Sequence, residues 1–303
     1  MSLWPRSTPL RRAVLLGNVH GMPLPVPKTY KLFVAGKFPR SESGRSYQPA
    51  GDPQRNVARA SRKDARDAVG AARAALPGWM RATAYLRGQI LYRCAETIEA
   101  RHASFVDELC AGGSSRSTAR REVDAAIALT VWYAGMCDKV TTLLGSHNAV
   151  AGPFCSFSTV EPTGVVACVA PEHAPLVGLL ALVLPVLAGG NTVVAVVSEP
   201  QPFAALALGE IAATSDVPAG VCNLLSGPRA ELAAALAAHR DVDGLFVGGE
   251  LRSEWAASAA DSVKRVRHAP LPAGDVRHPE RLRGLAWVEP FVEVKTLWHP
   301  VAP

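Results

Sequence analysis

The spacing of apolar residues changes near residue 157 and divides the chain into two parts. In the first part, apolar side chains recur every three to four positions, which is typical of amphipathic helices. This pattern predicts helices over Ser61–Ala75, Arg81–His102 and Ser117–Val140. Ser61, with Asp64 three residues later, predicts a capped helix start. Ahead of the helices, Lys31–Ala35 (KLFVA) predicts a short strand that ends at Gly36.

After residue 157, short apolar strands alternate with helical segments. The predicted strands are Thr159–Val160, Gly164–Val169, Thr192–Val197, Gly220–Leu225 and Gly244–Val247. The predicted helices are Pro202–Ala213, Arg229–Ala238 and one that starts near Gly249. This alternation indicates right-handed βαβ units, and so an α/β fold with a Rossmann-like parallel sheet and helices on both faces. A proline-rich connector follows residue 270, and Phe291–Leu297 then alternates as a last strand.

The uncharged stretch Ala174–Val197 is long enough to span a bilayer. Pro185, Gly189-Gly190 and Asn191-Thr192 interrupt it, however. A buried helix, a glycine-rich end and a short β-branched strand explain the same residues. We therefore expect no membrane association.

Composition narrows the function classes. The chain has 303 residues, of which 49% are hydrophobic and 19% charged, so it can bury a large core and is not a disordered protein. The net charge of +6 comes mostly from scattered arginines, and aromatic residues make up only 6%. Because no compact basic stripe carries interleaved aromatics, we expect no nucleic-acid binding.

The cysteines are dispersed along the chain, at Cys94, Cys110, Cys137, Cys155, Cys168 and Cys222. No two have the C-x-x-C or Cys/His spacing of a tetrahedral zinc site, so no metal site is expected. Dispersed thiols are typical of a reducing compartment. The apolar run Ala13–Gly17 is too short for a signal peptide. We therefore expect a cytoplasmic protein.

Residues 161–200 read EPTGVVACVAPEHAPLVGLLALVLPVLAGGNTVVAVVSEP. They resemble the aldehyde dehydrogenase superfamily in the order of a Glu-Pro-x-Gly strand entry, a proline loop, an apolar helix and a Gly-Asn-Thr turn into a strand. The Pro-x-Gly segment at Pro218 and the His-x-Asp-Val segment at His239 continue the resemblance. It covers about residues 28–270 and 285–303 and implies that family's cofactor domain.

The resemblance also implies a domain layout. Residues 28–148 and 161–270 would form the cofactor-binding-like domain, and residues 1–27 a flexible tail. Residues 149–160 and 285–303 would form an oligomerisation arm, whose last strand crosses to a neighbouring subunit in the family. The catalytic domain that normally precedes that strand is largely missing. This degenerate, truncated layout most resembles the C-terminal pseudo-domain of the two-domain family-16 aldehyde dehydrogenases.

No catalytic residue is expected. In the resembling family the nucleophilic cysteine lies in the missing domain, and this chain has no cysteine after Cys222. The family's glutamate base motif falls at Val263–Pro270, which contains no acid. His173 stands where the family has the asparagine that donates to the oxyanion. A histidine can donate a hydrogen bond, but without a nucleophile we favour a plain loop residue.

The cofactor-binding candidates are Glu199, Gly248 and Gly249. In the resembling family a lysine and a glutamate hold the adenosine ribose, and the corresponding positions here are Val196 and Glu199. Glu199 is either a remaining ribose ligand or a loop residue. N–H groups at Gly248-Gly249, opening a helix, suit a pyrophosphate, although a simple glycine turn is favoured. With Arg252 crowding this turn, we expect no cofactor, or NAD bound only weakly.

The preferred functional hypothesis is a pseudoenzyme, a non-catalytic aldehyde-dehydrogenase-like subunit. It would assemble with a full-length aldehyde dehydrogenase or with itself through the last strand, with Val292, Val294 and Leu297 or their neighbours facing the partner. One alternative is an NAD(H)-binding regulatory module. The other is an NAD(P)-dependent oxidoreductase acting on aldehydes, although a fold by itself does not establish an activity.

Overall fold

The computed structural model describes residues 29–271 and 278–301. The predicted tail over residues 1–27 lies outside the described residues. The helices of the described chain are α1 Arg62–Arg81, α2 Ala84–Ala100, α3 His102–Ala111, α4 Arg116–Met136, α5 Val140–Leu144, α6 Val177–Ala188, α7 Phe203–Thr214, α8 Arg229–Ala238, α9 Ser253–Ala260 and α10 Leu285–Val288. The strands are β1 Thr29–Tyr30, β2 Ser46–Tyr47, β3 Asn56–Ala58, β4 Ser146–Asn148, β5 Phe154–Pro162, β6 Val165–Val169, β7 Thr192–Val196, β8 Cys222–Leu225, β9 Gly244–Val247, β10 Arg265–His268 and β11 Val292–Pro300.

A five-stranded parallel sheet in the order β10-β9-β6-β7-β8 forms the centre of the fold. Its inner strands β6, β7 and β9 are completely buried, because their residues are almost all valine, alanine, leucine and phenylalanine. The register pairs Val165 with Thr192 and Val166 with Gly244. The predicted parallel α/β sheet is confirmed.

Helices cover both faces of this sheet. On one face α1 and α8 pack against β6 and β7, and on the other α6 packs on the same strands and α7 on β8. Helix α1 starts as predicted, because Ser61 and Asp64 cap each other's backbone N–H groups. The uncharged stretch forms the buried helix α6 and the strand β7, as expected. Among the described residues, no helix combines the length and apolarity needed to cross a bilayer.

A separate antiparallel sheet in the order β11-β5-β4 projects from this body. Strands β11 and β5 of the same chain pair over nine residues, from Val292 opposite Pro162 to Pro300 opposite Phe154. We call this sheet the arm. It begins at Ser146, whereas the family resemblance implies a start at residue 149. Residues 285–291 were expected to belong to the arm, but they form helical turns that contact α6 and β10.

One predicted feature of the arm is corrected by the structure. Val292 is 5% exposed and faces the chain's own core, so it is not available to a partner. Side chains alternate between the faces of a strand, which places Leu297 on the face opposite to Val294, and Trp298 on the same face as Val294. Both faces of β11 therefore carry exposed apolar side chains.

Several local elements differ from the sequence prediction. Lys31–Ala35 is not a strand, because Phe33 only bridges Leu224 and a left-handed turn follows at Ala35-Gly36. Helix α9 begins at Ser253, four residues later than predicted. Neither α3 nor β10 was predicted. Strand β10 is an edge strand with mostly exposed polar residues, RVRH, so it lacks the apolar pattern of a buried strand.

Candidate functional site

The carboxyl ends of β6 and β9 define the candidate site. From β6 the chain continues to β7 and β8 on one side, and β9 and β10 lie on the other side, so the strand order reverses between β6 and β9. In doubly wound α/β sheets, ligands bind in the crevice at this switch point. Two loops form its walls here: one follows Val169 of β6 and the other follows Val247 of β9.

Gly248 and Gly249 lie in the loop after β9. The Gly248 N–H donates to the Val169 carbonyl at 2.9 Å, so it continues the sheet and is not free to meet a ligand. The Gly249 carbonyl accepts a hydrogen bond from Nε2 of His268 at 2.7 Å. The pair does not open a helix, since α9 begins at Ser253. A Cβ on Gly248 would lie 3.0 Å from Cδ of Pro171, so close packing favours glycine there.

Glu199 lies in the loop after β7, and its carboxylate already has a partner in the chain. One carboxylate oxygen accepts a hydrogen bond at 2.9 Å from the backbone N–H of Arg229, the first residue of α8. This contact satisfies one of the N–H groups that a helix leaves unpaired at its start. Val196, at the position of the family's lysine, is completely buried.

The side chain of Arg229 lies between the two loops of the switch point. Its Nε donates to the Ala170 carbonyl at 3.4 Å, and a terminal nitrogen donates to the Glu250 carbonyl at 3.1 Å. The guanidinium carbon is 5.2 Å from the centre of the Trp255 ring, a cation–π arrangement. Burial lowers the pKa of Arg229, while the charges of Glu172 and Glu250 act in the opposite direction.

Sequence reasoning missed Arg229, although one signal was present. A cation is unfavourable at the N-terminus of a helix because of the helix dipole. Arg229 occupies the first position of α8 and is only 7% exposed. A basic residue at that place needs a specific reason. The reason is its bridge across the switch point.

His173 and Glu172, in the loop after β6, have structural contacts. A ring nitrogen of His173 donates to the Leu271 carbonyl, so the imidazole ties this loop to the segment after β10. The Glu172 carbonyl accepts a hydrogen bond from the Ser198 hydroxyl at 2.9 Å. The left-handed backbone at Ala174, with φ of 50°, turns the chain into α6.

The cysteines do not form a site at the switch point. Burial raises the pKa of Cys94, Cys137 and Cys222 to about 12 and raises that of Cys168 well above its usual value. Cys155 lies on the arm, with its sulfur 3.7 Å from Nε2 of His147. All six cysteines are free thiols. In the part of the chain that the structure describes, no group of three His, Cys, Asp or Glu residues is arranged to hold a metal ion.

A groove of about 930 Å³ lies elsewhere, between α2 and α4. Its lining includes Tyr85, Val131, Asp216 and Pro218. Asp216 and Pro218 precede β8, so the groove lies toward the amino-terminal edge of the sheet, away from the switch point.

The chain belongs to the aldehyde dehydrogenase family, whose sequence model matches residues 39–268. It is 32% identical over 272 residues to retinal dehydrogenase 2 of Homo sapiens, covering 84% of this chain and 52% of that protein. Cytosolic aldehyde dehydrogenase 1 of Elephantulus edwardii is 32% identical over 268 residues, with coverage of 81% and 52%.

Solved structures give the same relationship. HpcC from Thermus thermophilus superimposes with a TM-score of 0.75 at 31% identity, covering 80% of this chain and 48% of its own. The NAD-dependent aldehyde dehydrogenase from Sinorhizobium meliloti gives a TM-score of 0.74 at 27% identity, with coverage of 80% and 50%. The chain therefore spans about half the length of the relatives it matches.

Proposed function

We propose that this chain is a non-catalytic aldehyde-dehydrogenase-family subunit without a resident nucleotide cofactor. It assembles through the arm with a full-length aldehyde dehydrogenase or with itself. The proposal rests on the short distance along the chain between two strands, because only residues 269–291 separate β10 from β11. In the resembling family the catalytic domain with its nucleophilic cysteine lies in that interval. The layout is that of a degenerate second copy, as in the two-domain family-16 enzymes.

The thiols of this chain support the absence of turnover. Aldehyde oxidation through a covalent intermediate needs a thiolate near an oxyanion donor and a bound nicotinamide cofactor. Burial raises the pKa of Cys168 on β6 and of Cys222 on β8, so both stay protonated at neutral pH. His173, at the position of the oxyanion donor, is bound to the Leu271 carbonyl instead.

The surface of the arm supports the assembly. Its exposed apolar side chains are Phe154, Phe157, Val294, Leu297 and Trp298. Within the described residues β11 pairs only with β5, so its outer edge keeps open backbone N–H and C=O groups. Such an edge invites strand addition by another chain. A subunit of this kind works in the cytoplasm, where its partners of the same family would be found.

Family membership favours a second candidate, an NAD(P)-dependent oxidoreductase acting on aldehydes. The relatives are dehydrogenases, and they share the fold that surrounds the switch point. An NAD(H)-binding regulatory module lies between the two hypotheses, because it needs the nucleotide but no nucleophile.

One experiment separates the three functions. NAD(P)H production is measured with aliphatic and aromatic aldehydes, for the chain alone and after co-expression with a full-length aldehyde dehydrogenase. The proposal predicts no turnover by the isolated chain and co-purification with the dehydrogenase. Turnover above about one per second, the low edge of typical enzyme rates, establishes the oxidoreductase instead. Thermal stabilisation by NAD(H) without turnover establishes the regulatory module.

A further inference from the structure

We infer that Arg229 is the residue that closes the dinucleotide crevice of this chain. This inference rests on the proposed function in one respect: both take the chain to have no resident nucleotide cofactor. It adds a specific cause: a side chain of the protein occupies the place that the cofactor takes in a doubly wound fold.

The position of the guanidinium carries this inference. Ala170 directly follows β6, and Glu250 lies in the loop after β9, so their carbonyls stand on opposite walls of the switch point. The Arg229 guanidinium donates to both of them and thereby spans the crevice. A Cβ on Gly249 would lie only 2.9 Å from a terminal nitrogen of Arg229. The guanidinium therefore packs directly on the glycine turn, and no room for a pyrophosphate remains between them.

Arg229 is held at both ends. Glu199 binds its backbone N–H, and this contact also takes up the carboxylate that would otherwise grip a ribose. The guanidinium lies against the completely buried Trp255 ring. A nucleotide must break two charge-assisted hydrogen bonds and displace a buried cation before it enters. The residues present therefore do not fit a dinucleotide at the switch point.

Arg252 provides a matched control in the same part of the fold. Its guanidinium carbon lies 5.6 Å from the centre of the same Trp255 ring, but its side chain is 44% exposed and faces Glu254 at 3.7 Å. It does not bridge the two loops, and the expectation that Arg252 crowds the glycine turn is wrong, because Arg229 is the side chain that packs there. Replacing Arg252 removes the same charge and a similar ring contact while leaving the crevice closed.

The test uses the full chain and NAD⁺ as the probe, with calorimetry for affinity and thermal unfolding to verify the fold. We expect wild type to show no dissociation constant tighter than about 0.1 mM. Arg229→Ser should bind at least about tenfold more tightly, and Arg252→Ser should match wild type. Tight binding by wild type overturns the inference. So does a folded Arg229→Ser without gain, or an equal gain in Arg252→Ser.

A second variant covers the case in which Arg229→Ser does not fold. Arg229→Lys keeps the charge and the stem, but one ammonium on a thinner side chain cannot reproduce the planar bridge. A folded Arg229→Lys should show a smaller but measurable gain, and no gain counts against the inference. Gain of NAD⁺ binding without aldehyde oxidation leaves the proposed function intact. Aldehyde oxidation by wild type ends the proposed function, whatever the variants bind.

Discussion

Glu122 of α4 lies under the start of α6, where its carboxylate accepts the backbone N–H of Leu176 at 2.8 Å. The same oxygen also accepts the N–H of Val177 at 3.2 Å. Glu122 is 2% exposed, so it joins the helical layer to the sheet layer by capping a helix from a neighbouring helix. The cap explains how a completely apolar helix without its own capping side chain begins at a defined residue.

Two substitutions of Glu122 should separate the effect of its charge on stability from the effect of its hydrogen bonds. Glu122→Leu orphans two N–H groups and should lower the free energy of unfolding by about 1–3 kcal/mol. Glu122→Gln keeps an acceptor and removes a buried charge, so it should fold at least as stably as wild type at neutral pH. Chemical denaturation measures both, and Glu99→Gln on the exposed side of α2 is the control.

The burial of the Glu122 carboxyl predicts that the stability of the protein depends on pH. Burial raises the pKa of Glu122 above its ordinary 4.5, and the two backbone hydrogen bonds only partly oppose this. Folding therefore favours the protonated carboxyl. Its stabilising contribution is complete below the ordinary pKa and is lost as the pH rises through the folded-state pKa. The stability advantage of Glu122→Gln should grow from pH 4 toward pH 8, and an advantage independent of pH would contradict this.

Substitution of Leu297 tests the proposed assembly through the arm. Leu297 on the arm and Leu86 on α2 are both 45% exposed, so a glutamate introduces the same charge at equal exposure. Leu297→Glu should lower the mass in solution measured by light scattering, or abolish co-purification with a full-length aldehyde dehydrogenase. Leu86→Glu should leave both unchanged. Unchanged assembly in Leu297→Glu, Val294→Glu and Trp298→Glu alike would remove the arm from the interface.

Phe291 should be needed for the fold as well as for the arm. It is completely buried, its ring lies 5.0 Å from that of Phe246, and its carbonyl accepts a hydrogen bond from the Asn191 side chain. Phe291→Ala should cost about 3–5 kcal/mol by cavity formation. Phe154→Ala, at an exposed phenylalanine of the arm, should cost less than about 1 kcal/mol. Equal losses of stability in the two variants would contradict the assignment of Phe291 to the core.

The cysteine thiols should differ in how fast an alkylating reagent labels them. Cys94, Cys137, Cys168 and Cys222 have a pKa raised by burial, so little thiolate forms near neutral pH. Iodoacetamide at pH 8, followed by mass spectrometry of peptides, should label Cys155 at least about tenfold faster than Cys168. Cys155→Ser is the control that identifies the fast site. Fast labelling of Cys168 in the folded chain would mean that β6 opens readily.

The sequence predicts the elements whose apolar residues follow a clear helical or strand pattern. Helix α8 and strand β9 have the expected bounds, because apolar periodicity marks both elements, with Pro228 before α8 and Gly248 after β9. Strand β10 was missed because an edge strand needs only backbone partners and carries polar side chains. Glu199, Gly248 and Gly249 do surround the switch point. Arg229 was missed because its role depends on two carbonyls that only the folded chain brings together.

The pairing of β5 with β11 has a consequence for the order of folding. Pro162 and Val292 are paired although 130 residues separate them in the chain. At about 5–20 residues per second, a ribosome needs roughly 7–26 s to make that interval. During that time β5 has only the three residues of β4 beside it. The nascent chain thus carries an unprotected strand edge throughout synthesis of the central sheet, so the β5–β11 pairing of the arm forms only after that sheet has been made.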